Sequence, residues 1–261
     1  MSPAVRGGVL AGLGNQTRRE AATWWANAHR WRQALVWSVV IGGLLAGMLW
    51  VLPAILAGVN GAVAVQLEPV EAAAQFGALA VVLTGAGVVI SSQGLLLDAR
   101  RAGLLERLLS KPLARPALLL AGLVGHSSGL LAAAVVVPWL AVWALLSVAA
   151  GQPWSAGRVA GTAVLAALVV LFHVGLVLAL SVVTGSRGVV LAVPLALLVG
   201  ADLISAAAPW TAHVSPYVVG RLAAGLLATG ELMAVGPLLA TVACTGMLLK
   251  LALWRFAGEE L

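Results

Sequence analysis

The chain has 261 residues, 62% of them hydrophobic and 9% charged, with a mean hydropathy of +1.05 and a formal net charge of +6. A soluble domain carries about 25% charged residues, so this composition excludes a water-soluble globule and defines an integral membrane protein. The length allows one domain of about six spans, each of roughly 20 residues plus a connection.

Backbone groups in lipid must be satisfied within the protein, which leaves helices or a closed barrel. Barrel strands alternate over segments of about ten residues. The apolar runs here are unbroken and about twice that length, so the fold class predicted is all-α, with six transmembrane helices.

In chain order, residues 1–33 form a polar, basic N-terminal arm. The apolar run after it is too long for a signal peptide core, so no cleavable leader is expected. Within the arm, NQTRREAATWWANAHRWRQ reads as an amphipathic helix lying along the membrane surface. Ala21, Trp24, Ala28, Trp31 and Leu35 share one side, opposite Arg19, Asn27 and Arg30. Tryptophan favours the headgroup layer and arginine snorkels to water, which makes Trp24, Trp25 and Trp31 the expected interface residues. The segment is either a topological anchor or an elbow helix that also touches a cytosolic subunit.

The six-span domain of 34–254 holds apolar segments at about 34–57, 72–92, 117–148, 159–184, 188–208 and 233–254. Gly43 and Gly47 give the first a Gly-x-x-x-Gly spacing, which favours close helix packing, more readily within the chain than between chains. The third is longer than a span needs, which predicts a tilt or a break near Pro138. Segment 209–232, with Trp210, His213, Tyr217, Arg221 and Glu231, is too apolar for a free loop. Short helices packed at the outer surface are expected there. Cys244 lies alone in the last span, where a small core residue is the simplest reading. Residues 255–261 form a C-terminal tail.

Thirteen of the fifteen lysines and arginines fall on the side of the two termini and the loop of 98–116, leaving Arg158 and Arg221 opposite. The positive-inside rule therefore predicts that both termini and that loop face the cytosol. It also accounts for the net charge without nucleic acid as a partner.

The loop DARRAGLLERLLSKPLARP is the only long charged run after the arm. As a helix over about 98–111 it groups Leu104, Leu105, Leu108 and Leu109 on one arc, opposite Arg100, Glu106 and Arg107. Pro112 and Pro116 end it before the third span. Such a helix would lie flat and present its charges to a partner; a solvated basic loop is the plainer alternative.

Known catalytic signatures are missing. Lys111 precedes proline and Lys250 precedes leucine, so no Gly-Lys-Ser/Thr phosphate loop exists in this sequence. No two of the four histidines have zinc-protease spacing, and Gly-x-Ser-x-Gly does not occur. The chain is therefore expected not to be an enzyme.

Asp98, Arg100, Gly103, Leu105, Glu106, Leu108, Leu109, Pro112, Leu113 and Arg115 spell Asp-x-Arg-x-x-Gly-x-Leu-Glu-x-Leu-Leu-x-x-Pro-Leu-x-Arg. This resembles the loop between the second and third spans of permeases of type-2 (ABC-2 type) ABC exporters. The Trp-rich arm beginning Arg18-Arg19-Glu20, the turn with Ser181 and Arg187, and the ending LALWRFAGEEL resemble the same family. The resemblance implies a six-span half-transporter in the bacterial inner (plasma) membrane. It would pair with a second permease half, identical or not, and rest on a cytosolic ABC ATPase that binds ATP and Mg. No cofactor is implied for this chain itself. The loop would be the coupling helix, with Arg100, Arg101, Gly103, Leu105, Glu106, Arg107 and Pro112 at the ATPase contact. Gly103 would permit the turn, and cargo would pass near the first, second and fifth spans. The function implied is ATP-driven export, with a hydrophobic or amphipathic substrate favoured by the scarcity of charge in the spans. The B subunit of the cytochrome c haem exporter shares part of the loop pattern and is the runner-up.

Ionisable residues inside spans are costly and often functional. His126 and His173 both lie ~15–16 Å from the cytosolic ends of their spans at 1.5 Å per residue. They are read either as two neutral, hydrogen-bonded histidines or as a haem or metal pair; the latter would make the chain a haem-binding membrane subunit. Asp202, in the outer part of the fifth span, is expected to pair with Arg158 or Arg221 or to line the exit.

Overall fold

The computed structural model describes residues 12–26, 28–60, 68–103 and 114–258. Every regular element among them is helical. Helix α1 spans Leu13–Trp25. The first span is α2, Ala28–Ala46, continued by a π-helical turn at Gly47–Val51 into α3, Leu52–Asn60. The second is α4, Pro69–Ser92, followed after a four-residue turn by the short α5, Leu97–Arg101. The third is α6, Arg115–Leu131, a π turn at Ala132–Val136, and α7, Val137–Ala150. The fourth is α8, Ala156–Thr184, and the fifth α9, Arg187–Ala207. Two 3₁₀ turns, Pro209–His213 and Pro216–Val218, lead into α10, Val219–Thr229. The sixth span is α11, Gly236–Ala257.

Five of these stretches are long and apolar enough to cross a membrane: Trp31–Val59, Pro69–Arg101, Arg115–Ala150, Ala156–Thr184 and Gly236–Ala257. Helix α9 is the remaining predicted span; its 21 residues reach ~31 Å at 1.5 Å per residue, the thickness of the hydrocarbon core. All six predicted segments are therefore helices, and the molecule is an all-α integral membrane protein.

The third span does not break at Pro138. A helical proline lacks an N–H and its ring clashes with the carbonyl four residues back. That carbonyl belongs to Ala134, inside the π turn of Ala132–Val136. The first span repeats the solution, with Leu49 four residues before Pro53 and inside Gly47–Val51. The wider π turn takes the proline in without ending the helix.

Three other expectations are corrected. The arm is not one continuous surface helix: α1 ends at Trp25 and α2 begins at Ala28. Helix α1 packs along α6, with Glu20 against Gly125 and the Trp24 ring on Gly129, positions where any side chain would collide. Trp24 is consequently 3% exposed and not at a lipid surface. Trp25 and Trp31 do stay exposed, ring centroids 5.5 Å apart, with the Trp31 indole N–H donating to the Trp25 carbonyl at 3.3 Å. Second, Gly43 and Gly47 touch no neighbouring helix, so their spacing serves no packing within the chain.

The third correction concerns 209–229. This segment does not sit on the outer surface; it re-enters the bundle. Tyr217 reaches His173, with ring centroids 5.9 Å apart, and His173 lies 17 residues, or ~26 Å, along α8 from Ala156. Helix α10 then climbs back. Gly220 lies against Ala78, the backbone of Ala224 against Gly77, Leu226 against Gly161, and Ala228 against Arg158 at the start of α8. Irregular backbone at this depth is tolerated only inside protein. Here Ser215 accepts from the Tyr217 N–H at 3.3 Å, and the Ser215 N–H donates to the Thr211 carbonyl at 2.8 Å. Arg158 caps the far end of α10 by donating to the Ala228 carbonyl at 2.6 Å, a cation at the negative end of a helix.

Candidate functional site

Two polar places stand out in the apolar bundle. The first lies where the second span gives way to the charged loop. Helix α4 ends at Ser92, whose buried hydroxyl is 3.2 Å from His126 Nε2. The chain turns with Leu95 N–H on the Ser92 carbonyl and Asp98 N–H on that of Gly94, which starts α5. Leu96 and Leu97 are buried, Leu97 among Val89, Val177 and Val190. With those leucines inward, Asp98 and Arg101 face outward. Gly103 ends the turn at φ +62°, the left-handed region that favours glycine.

Asp98 meets a residue far along the chain. Its Oδ1 accepts from Arg187 Nη2 at 2.7 Å, Arg187 being the first residue of α9. A side chain at Gly94 would run into the Asp98 carboxylate and lie 3.4 Å from the same guanidinium. Sequence reading noted both residues in separate motifs and did not join them; opposite charges at the same expected end of neighbouring spans were the available signal. Leu105, Glu106, Arg107 and Pro112, and with them most of the predicted coupling helix, lie outside the described residues.

The second place is at mid-bundle. His173 is 1% exposed, and its Nδ1 lies 2.8 Å from the Val169 carbonyl. Because a carbonyl only accepts, Nδ1 is the donor in that bond. Phe172 and Tyr217 stack edge-on around it, and Gly85 leaves room for the ring. Neither His173 Nε2 nor the Tyr217 hydroxyl has a hydrogen-bond partner among the described residues. The space between Val81, Val169, His173, Leu198 and Tyr217 measures about 10 Å³, which suits one water molecule and nothing larger.

Of the two readings of His126 and His173, the structure matches separately hydrogen-bonded histidines and not a pair. His126 turns to Ser92 and His173 to its own helix and Tyr217. Groups of three or more potential metal ligands do not occur among the described residues, and a cavity of about 10 Å³ holds no haem. Arg158 binds Ala228, and Asp202 stands in α9 with its side chain outside those described. An apolar groove of about 460 Å³ runs between α7 and α8, walled by Trp139, Trp143, Ala156, Ala160 and Ala163, away from both polar places.

These features define a class: a multi-pass helical membrane protein with a re-entrant hairpin and a charged joint at its basic end. The chain belongs to the ABC-2 type transporter family, whose profile matches residues 13–226, from α1 into α10. It is thus a membrane component of a transporter. No curated protein matches the sequence.

Proposed function

We propose that this chain is the permease half of an ATP-driven exporter in a bacterial inner membrane, with both termini cytosolic. Membership of the ABC-2 type family over residues 13–226 carries the reading. Two halves pair, and each seats its 98–111 loop on a cytosolic ATPase. The sequence has no phosphate loop of its own, so ATP and Mg bind on that partner. Glu106 and Arg107 make the contact, and Gly103 turns the chain toward it. Hydrophobic or amphipathic molecules are the favoured cargo, since few charges lie within the spans.

Purification of the tagged chain from its native membrane tests this directly: an ABC ATPase should copurify, and its repeated absence would reject the reading. Glu106→Ala should leave insertion intact and let ATP hydrolysis run without transport. Undiminished transport by that variant would remove Glu106 from the coupling contact.

A further inference from the structure

We propose that the Asp98–Arg187 ion pair is the positioning contact through which movement of the charged loop reaches the fifth span. The inference rests on the exporter reading above and adds to it a route through this chain.

Three observations converge on the pair. First, it bridges elements that no short connection joins: Asp98 lies in the first turn of α5, five residues before Gly103, and Arg187 opens α9. Second, the joint is built to shape. The turn from α4 to α5 sets Gly94 beside the carboxylate, and buried Leu96 and Leu97 fix the start of α5. Third, α9 runs from Arg187 to Ala207 as one helix, with Pro194 inside it, and passes directly into the re-entrant hairpin. A push on Asp98 thus acts on a helix whose other end carries Tyr217 into the middle of the bundle. The Asp98–Arg187 pair is thus the loop end of a lever arm whose other end is the hairpin.

Exposure separates this role from a structural one. Arg187 is 41% and Asp98 60% exposed, and exposed ion pairs add little to folding. A contact that contributes little to stability can break and re-form during a cycle. Removing it should spare the fold and alter the response.

The experiment uses the full chain purified with its copurifying ATPase in lipid nanodiscs. Amide hydrogen exchange at residues 186–190 is compared without nucleotide and with Mg-ATP plus vanadate. Wild type should show a nucleotide-dependent change there. In Asp98→Asn and in Arg187→Gln that change should shrink by about fivefold or more, the lower end of common inter-site coupling. Thermal stability should stay as in wild type in both, and ATPase binding as in wild type in Arg187→Gln. The exchanged pair, Asp98→Arg with Arg187→Asp, should restore the change. A full change in either single variant, no change in wild type, or no restoration by the exchanged pair would overturn the inference. Failure of any ATPase to copurify with wild type would instead reject the exporter reading beneath it.

Discussion

At the scale of single residues, small side chains decide where helices meet. Without a hydrophobic drive between helices in lipid, close van der Waals approach holds them together. At Gly77, a side chain's first carbon would lie 2.9 Å from the Ala224 backbone, and backbone cannot swing aside. Gly77→Val should therefore destabilise the protein by about 1–3 kcal/mol, as overpacked cores do. The check is thermal unfolding in detergent beside Gly122→Ala, whose position is open and which should match wild type. Glycine spacing was legible in the sequence; its target was not. The first-span Gly43 and Gly47 face open space, while Gly125 and Gly129, at the same spacing on the third span, seat Glu20 and Trp24. A spacing shows that a helix can be approached closely and leaves open which partner approaches it. For the same reason Trp24, placed by its helical face toward lipid, is buried on Gly129 instead.

Among elements, the re-entrant hairpin is where sequence reading fell furthest short. Its composition, too apolar for a free loop, was noticed. The depth of Tyr217 was not legible, because it depends on α4, α8 and α9 leaving a space between them. The Tyr217 ring stacks on Phe172 and His173, whereas its buried hydroxyl has no partner among the described residues. These two facts predict opposite outcomes for two substitutions. Tyr217→Ala should cost about 3–5 kcal/mol, as loss of a buried aromatic ring does. Tyr217→Phe should be neutral or slightly stabilising, since it removes an unsatisfied group. Melting curves of both variants would show it; a large loss in Tyr217→Phe would mean that the hydroxyl does have a partner. The spans themselves were read to within a few residues, because an apolar run of this length has few other ways to fold.

For the whole molecule, the charge asymmetry predicts an orientation that labelling can check. In a Cys244→Ala background, a cysteine at Gly151, in the turn before α8, should react with a membrane-impermeant maleimide on intact cells. A cysteine at Ser186, beside the Asp98–Arg187 joint, should react only after lysis. The reverse pattern would invert the orientation and with it the side on which an ATPase could dock. The charge count made this legible, because orientation depends on totals and not on any one contact. The two π turns have a further consequence, for how the chain can change length. Each holds one more residue than an α turn, so dropping a residue from Gly47–Val51 or Ala132–Val136, with Pro53 or Pro138 replaced as well, would restore ordinary helix and leave both flanking halves in phase. A deletion inside α4 would instead rotate everything beyond it by about 100° and turn its packed face to lipid. The first and third spans thus contain the places where the chain can lose a residue, together with the proline beyond it, and keep its fold.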